Sequence, residues 1–190
     1  PLHKPLDVAE QLGTLDIMTN GKAIFGCGVG YRDVEFKAFG TSRKVRGKRF
    51  EENLTAIKRL WTEEKVTIKG SHFELDEASC SAKPVQQPHP PIWIGGHSRA
   101  ALRRVAKYGD GWHPVGAPSA SPLPPEEFQR LLNQLKQMTE AEGRDFEALS
   151  ISFKAPSYDP GRIPEGHDRL LFTGEPERIA EDIRAYEAMG

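Results

Sequence analysis

The feature that most constrains the fold is a regular alternation of helix and strand patterns along the chain. Apolar residues recur at helical spacing in five segments, 5–18, 47–62, 98–108, 125–142 and 176–188. Short apolar runs typical of buried strands lie between them, at 23–30, 92–94, 111–113 and 151–155. Parallel strands need a crossover between them, so this order predicts an α/β fold with a parallel sheet. We expect one domain, residues 1–190, with a small insertion at about 63–90 that contains a hairpin.

The helical spacing also predicts which side of each helix is buried. The predicted buried stripes are Val8, Leu12, Leu15 and Met18; Phe50, Leu54, Ile57 and Trp61; Phe128, Leu131, Leu132, Leu135 and Met138; and Ile179, Ile183 and Tyr186. Each stripe is expected to pack against the sheet or a neighbouring helix.

Two parallel architectures compete, a doubly wound sheet and a (β/α)₈ barrel. The glycines of 26–30 are spaced Gly-x-Gly-x-Gly and no helix pattern follows at once, which excludes a dinucleotide-binding fold. The unusual residues stand at strand ends, at 28–31, 95–98 and 112–113, where barrel enzymes carry their sites. A complete barrel has eight strands in about 250 residues, and the sequence shows only four of them. We therefore predict part of a TIM (β/α)₈ barrel.

The junction of strand and helix at 91–112 has the composition of an anion site. The apolar strand 92–94 stops at Gly95 and Gly96, and a helix begins directly behind Ser98. The first amides of a helix lack internal partners and lie at the positive end of its dipole, and glycine lets a phosphate approach the backbone closely. The alternative is an ordinary turn in which Ser98 only caps the helix. The local pattern leaves both interpretations open.

Composition narrows the class of protein. The 26 Lys and Arg residues against 27 Asp and Glu give a net charge of -1, which does not favour a nucleic-acid partner. No apolar run approaches the roughly 18 residues that cross a membrane, and no signal-peptide pattern opens the sequence; we expect a cytoplasmic protein. No Ser-His-Asp motif or metal-ligand spacing is present, so neither catalytic residues nor a metal site are assigned. Such a chain suits an enzyme whose reactive atoms belong to a bound cofactor.

Seven short segments, taken in order and spacing, resemble one known family across nearly the whole chain. They are residues 21–31, 35–40, 46–52, 60–61, 83–96, 108–114 and 172–183. The family is the bacterial luciferase-like monooxygenase superfamily, which contains flavin-dependent monooxygenases and F420-dependent oxidoreductases. The resemblance implies a luciferase-like barrel that is incomplete here. Residues 1–20 resemble the third helix and the sequence ends where the eighth strand would begin, so strands 1–3 and 8 are expected to be missing.

The resemblance also assigns roles to individual residues. The phosphate end of the cofactor is expected at Gly95, Gly96, His97 and Ser98, its border at Gly28 and Gly30, and the ring or substrate pocket at Trp112 and His113. Of the basic residues at 43–49, Arg46 is the one best suited to an anionic cofactor tail, while the others are typical of a solvated helix face. The Pro- and Ser-rich loop 114–125 is expected to cover the mouth of the site.

The function implied is oxidation or reduction of a small organic substrate with F420 or FMN as cofactor. F420 is slightly favoured, because Val29 stands where luciferases can carry a phosphate-binding arginine. We expect a small-molecule partner, neither nucleic acid nor membrane, and a homo-oligomer in the complete protein. Two alternatives remain, a non-catalytic flavoprotein or structural subunit of the same fold, and an unrelated phosphate-binding barrel enzyme. No residue identifies the substrate.

Overall fold

The computed structural model describes residues 1–116, 122–155 and 169–189, which form two compact units, Pro1–Ile92 and Trp93–Gly190. The helices are α1 Pro5–Met18, α2 Asp33–Ala38, α3 Arg46–Thr62, α4 Arg99–Tyr108, α5 Pro125–Ala141 and α6 Pro176–Glu187. The strands are β1 Phe25–Cys27, β2 Val66–Lys69, β3 Glu74–Ala78, β4 Ile92–Gly95, β5 Gly111–His113 and β6 Ser150–Ile151. Short 3-10 turns lie at Arg43–Val45 and Phe146–Ala148. The predicted alternation of helices and strands is confirmed in the part of the chain that the structure describes.

In the first unit α1 packs against α3, and the two helices differ in how well their faces were predicted. The stripe of α3 is buried as predicted. The stripe predicted for α1 is wrong, because Leu15 is 45% and Met18 is 79% exposed. The buried face is instead Pro5, Ala9, Gly13 and Asp16. Small residues allow close approach there: the Trp61 indole N–H donates to the Ala9 carbonyl at 3.0 Å, and a Cβ on Gly13 would stand 1.8 Å from the Ala82 carbonyl oxygen.

Hydrogen bonds explain why the carboxylate of Asp16 occupies that buried face. Its side chain has no exposed surface and accepts hydrogen bonds from the Gln86 backbone (3.0 Å), the Gln86 side chain (2.6 Å) and the Ala23 amide (3.4 Å). Burial alone would raise the pKa of Asp16, but these hydrogen bonds outweigh it and lower the pKa below its usual value. Asp16 therefore ties the end of α1 to the segment that leads into β4.

The predicted hairpin is also present in the first unit. Strands β2 and β3 are antiparallel, with Ile68 opposite Leu75, and the second strand begins at Glu74. The turn is fastened to α3 by Glu52, which accepts from the Ser71 amide at 3.1 Å and pairs with His72 Nδ1 at 2.9 Å.

In the second unit β4, β5 and β6 are parallel, with Gly95 opposite His113 and Trp112 opposite Ile151. Helix α4 buries Ala101, Leu102, Val105 and Ala106 and packs on α5. Helix α5 buries its predicted stripe, with Met138 half-buried. Parallel strands end at the same edge of a sheet, so the residues that follow β4 and β5 lie together.

The buried face predicted for the last helix, α6, is also wrong in part. Tyr186 is buried, but Ile183 is 52% exposed, so it does not face inward as predicted. Asp182 is buried in its place, because Arg169 holds its carboxylate in two hydrogen bonds of 2.7 and 2.8 Å. The pKa of Asp182 is lowered chiefly by that guanidinium. Among the described residues, no helix is both long and apolar enough to cross a membrane.

Candidate functional site

The turn between β4 and α4 combines a glycine conformation with a helix cap. Gly96 has φ +91°, a conformation that residues with a side chain rarely adopt. The Ser98 hydroxyl accepts from the Ala101 amide at 3.2 Å, and the Ser98 carbonyl accepts from Leu102 at 3.0 Å. Ser98 is thus the N-cap of α4, as the alternative interpretation of this turn expected, and its role toward a phosphate stays a prediction. This cap uses the third amide of the helix, while the amides of Arg99 and Ala100 begin the positive end.

The electrostatics of this helix end fit an anion. Helices α1, α2, α5 and α6 each carry an acidic residue in their first turn, whereas α3 and α4 carry none, and α4 begins with Arg99. Gly96 and Ser98 are exposed, so the turn is reachable from solvent. The nearby carboxylate of Glu127 is paired with Arg130 through contacts of 2.6 and 2.7 Å. Its pKa is lowered mainly by that arginine and slightly by His97. A phosphate group fits this uncompensated positive end.

Trp112 connects β5 to the same turn. Its side chain has no exposed surface, and its indole N–H donates to the Gly96 carbonyl at 2.8 Å. Its ring stacks on Phe128 of α5, with centroids 5.3 Å apart and planes 9° from parallel. Trp112 therefore contacts the predicted phosphate turn through its indole nitrogen. The assignment of this residue to a ring or substrate pocket stays a prediction.

His113 lies in a short chain of hydrogen bonds. Its Nδ1 is 2.8 Å from the Ser152 hydroxyl, which in turn donates to the Trp112 carbonyl at 3.2 Å. A hydroxyl has one proton, so Nδ1 is the donor while Ser152 donates to the carbonyl and the acceptor when Ser152 donates to it instead. The roles of Nδ1 and Nε2 therefore depend on the tautomer of His113. The sequence interpretation missed Ser152, because it placed this residue inside a strand at 151–155, whereas β6 ends at Ile151.

The remaining predicted cofactor residues, Gly28 and Gly30, follow β1 in the first unit. Both line a cavity of about 270 Å³ together with Cys27 and Asn53. A Cβ on Gly28 would meet nothing within 4 Å, whereas one on Gly30 would stand 3.2 Å from the Phe36 ring. Packing within the described residues therefore does not explain the glycine at 28. Burial raises the pKa of the Cys27 thiol to about 12, so this cysteine is protonated at neutral pH and unsuited to nucleophilic chemistry.

The basic residues of 43–49 mostly make surface contacts, as expected for a solvated face. Arg43 pairs with Asp33 at 2.9 Å, and Lys48 donates to the Ser71 hydroxyl at 2.8 Å. Arg46 is half-buried and reaches the Arg43 carbonyl at 3.5 Å. Residues 117–121 of the predicted covering loop lie outside the described residues, so the cover stays a prediction.

Comparison with known proteins agrees with the family resemblance. The family model described as "Luciferase-like monooxygenase" matches residues 1–158. A phthiodiolone/phenolphthiodiolone dimycocerosates ketoreductase of Mycobacterium bovis is 30% identical over 145 residues, which cover 75% of this chain and 36% of that protein. The chain thus spans about a third of the length of this relative.

Two solved structures are similar as well. Monooxygenase RslO1 from Streptomyces bottropensis has 30% identity and a TM-score of 0.66, over 76% of this chain and 43% of the other. An F420-dependent secondary alcohol dehydrogenase shares the fold over 99% of this chain and 67% of its own, with a TM-score of 0.79 and 20% identity. Barrel-type neighbours and a parallel α/β structure together identify part of a luciferase-like barrel. The chain belongs to the luciferase-like monooxygenase family, a family of oxidoreductases.

Proposed function

We propose that this protein is an oxidoreductase that binds F420 or FMN, with the cofactor phosphate at Gly95–Ser98. The observation that carries the proposal is the junction of β4 and α4. It combines a glycine with positive φ, a serine cap and a helix whose first turn has no acidic residue. When bound, such a cofactor supplies a hydride to the substrate or electrons for dioxygen activation. The protein residues bind the phosphate, orient the ring and exclude water.

The sequence and the comparisons both bear on the choice between the two cofactors. The Gly28–Gly30 strand exit with Val29 favours F420, and F420-dependent enzymes share the fold. FMN remains the second candidate, since the family contains monooxygenases such as RslO1. The ketoreductase name of the mycobacterial relative favours reduction of a carbonyl substrate over oxygenation of a substrate by dioxygen. His113 is the residue we propose to face the substrate.

Titration of the full-length protein with each cofactor tests the proposal. We expect F420 to bind more tightly than FMN at low salt. Its affinity should also fall more steeply between about 50 and 300 mM salt, because F420 carries additional carboxylates and exposed charges are screened over a Debye length of about 10 Å at 0.1 M. Tight FMN binding without F420 binding would reverse the order of the two cofactors. Binding of neither would contradict the proposed function, and binding without turnover would favour a non-catalytic flavoprotein.

A further inference from the structure

Ring stacking and backbone hydrogen bonds fix the position of Trp112 independently of its contact with the turn. Its ring stacks on Phe128, and its own backbone carbonyl accepts from both the amide (3.0 Å) and the hydroxyl (3.2 Å) of Ser152. Strand pairing fixes its Cα opposite Ile94 on one side and Ile151 on the other. The direction of its indole N–H is therefore set by packing and by the sheet. The Gly96 carbonyl therefore accepts from an indole N–H whose position is fixed by other contacts.

That hydrogen bond determines the orientation of a whole peptide unit. Among the described residues, the only cis peptide joins Gln87 and Pro88, so the Gly96–His97 peptide is trans. In a trans peptide the carbonyl and the amide point in opposite directions. A glycine at φ +91° is free to rotate into many other conformations, which a fixed carbonyl prevents. The bond from Trp112 thus holds the turn in one conformation at the start of α4.

We propose that Trp112 is a positioning residue of the anion site. Its indole N–H keeps the Gly96–His97 peptide in the orientation that makes the Gly95–Ser98 turn and the first amides of α4 complementary to a phosphate group. The inference rests on the proposed function, because it concerns the same turn. A preorganised turn binds more tightly than one that the ligand must first order. Trp112 itself contacts no cofactor in this account.

The variant Trp112→Phe removes the N–H and keeps an aromatic ring for the stack on Phe128. We expect it to weaken binding of FMN by the full-length protein about tenfold, the effect of one poorly placed backbone hydrogen bond. Riboflavin, which is FMN without its phosphate, should bind the variant and the parent equally. A purely structural defect would instead weaken both ligands alike.

The first unit supplies a matched control in Trp61. This indole is also buried and also donates to a backbone carbonyl, that of Ala9, at 3.0 Å. Trp61→Phe should lower the thermal midpoint to a similar extent and leave the ratio of FMN to riboflavin affinity unchanged. An equal loss of that ratio in both variants would overturn the inference.

A measurement on the unaltered protein covers the case in which Trp112→Phe does not fold. Its indole N–H should exchange with deuterium much more slowly than that of free tryptophan, and FMN should shift the amide resonances of 95–98 more than riboflavin does. Fast indole exchange, or equal shifts with the two ligands, would overturn the role of Trp112. If the parent binds neither FMN nor F420, the proposed function fails too. If it binds them and Trp112→Phe keeps the parent's FMN preference, only the inference fails.

Discussion

Arg144 offers a quantitative test of how α4 is held. Its guanidinium donates to three carbonyls at the end of that helix, those of Val105 (3.2 Å), Ala106 (2.7 Å) and Gly109 (2.7 Å). All three lie at the negative end of the helix dipole; the Ala106 carbonyl is one that a helix leaves without an internal partner, while the Val105 carbonyl also accepts from the Gly109 amide at 2.9 Å. A hydrogen bond to a charged donor contributes about 1.5–3 kcal/mol. Arg144 is a third exposed and the three bonds share one group, so we expect a total of about 2–4 kcal/mol for Arg144→Met rather than the full sum.

Urea unfolding of the full-length protein measures this effect. In a thermal melt the expected loss corresponds to a fall of about 4–16 °C in the midpoint, at about 2–4 °C per kcal/mol for a chain of this size. Arg144→Lys should recover part of it, because an ammonium supplies donors without the planar geometry of a guanidinium. The control is Arg59→Lys, where the pair with Glu63 is exposed and a much smaller loss of stability than for Arg144→Lys is expected. Equal effects of the Arg59 and Arg144 substitutions would refute this account of α4.

Two further predictions concern the first unit. Asp16→Asn should lower the free energy of unfolding at pH 7 by about 2–4 kcal/mol, because an amide N–H₂ would face the donors of Gln86. The pKa of Asp16 is lowered in the folded state, so its stabilisation is present above the unfolded-state pKa of about 3.9 and is lost as the pH falls toward the folded-state value. In urea titrations the difference in free energy of unfolding between variant and parent should therefore narrow below about pH 4. A difference independent of pH would contradict an ionised Asp16 in the folded state. Gly13→Ala should cost about 3 kcal/mol or more, because its Cβ would overlap the Ala82 carbonyl. Gly26→Ala, where a Cβ meets nothing within 4 Å, should change stability by less than about 1 kcal/mol; similar losses for the two alanines would show that the contact does not matter.

The sequence predicted helices well where large apolar residues determine the buried face. In α3 and α5 the leucines, phenylalanines and Trp61 are the residues that the core needs, so periodicity alone identifies the face. In α1 the buried face is decided by close approach of another segment, which requires Gly13 and Ala9 to be small. In α6 an ion pair with Arg169 places Asp182 inside and leaves Ile183 exposed. Periodicity carries no information about either partner, and so both faces were predicted wrongly.

The candidate site likewise has local features that the sequence indicates and long-range contacts that it does not. The positive φ of Gly96 and the cap at Ser98 are local properties, and a strand followed by two glycines and a serine is enough to indicate them. The contacts of Trp112 with Gly96 and of His113 with Ser152 join residues 16 and 39 positions apart. They exist only because three parallel strands share one register. The glycine turn was therefore predictable, whereas the groups that hold it were not.

The central claim concerns where the cofactor phosphate lies. A crystal structure of the full-length protein with bound F420, and a second with FMN, tests it most directly. We predict a phosphate oxygen within hydrogen-bond distance, about 2.7–3.2 Å, of backbone amides in the turn that runs from Gly95 through Ser98 into α4. The Trp112 indole should remain bonded to the Gly96 carbonyl in both complexes. A phosphate bound elsewhere, with no contact to this turn, would contradict the account.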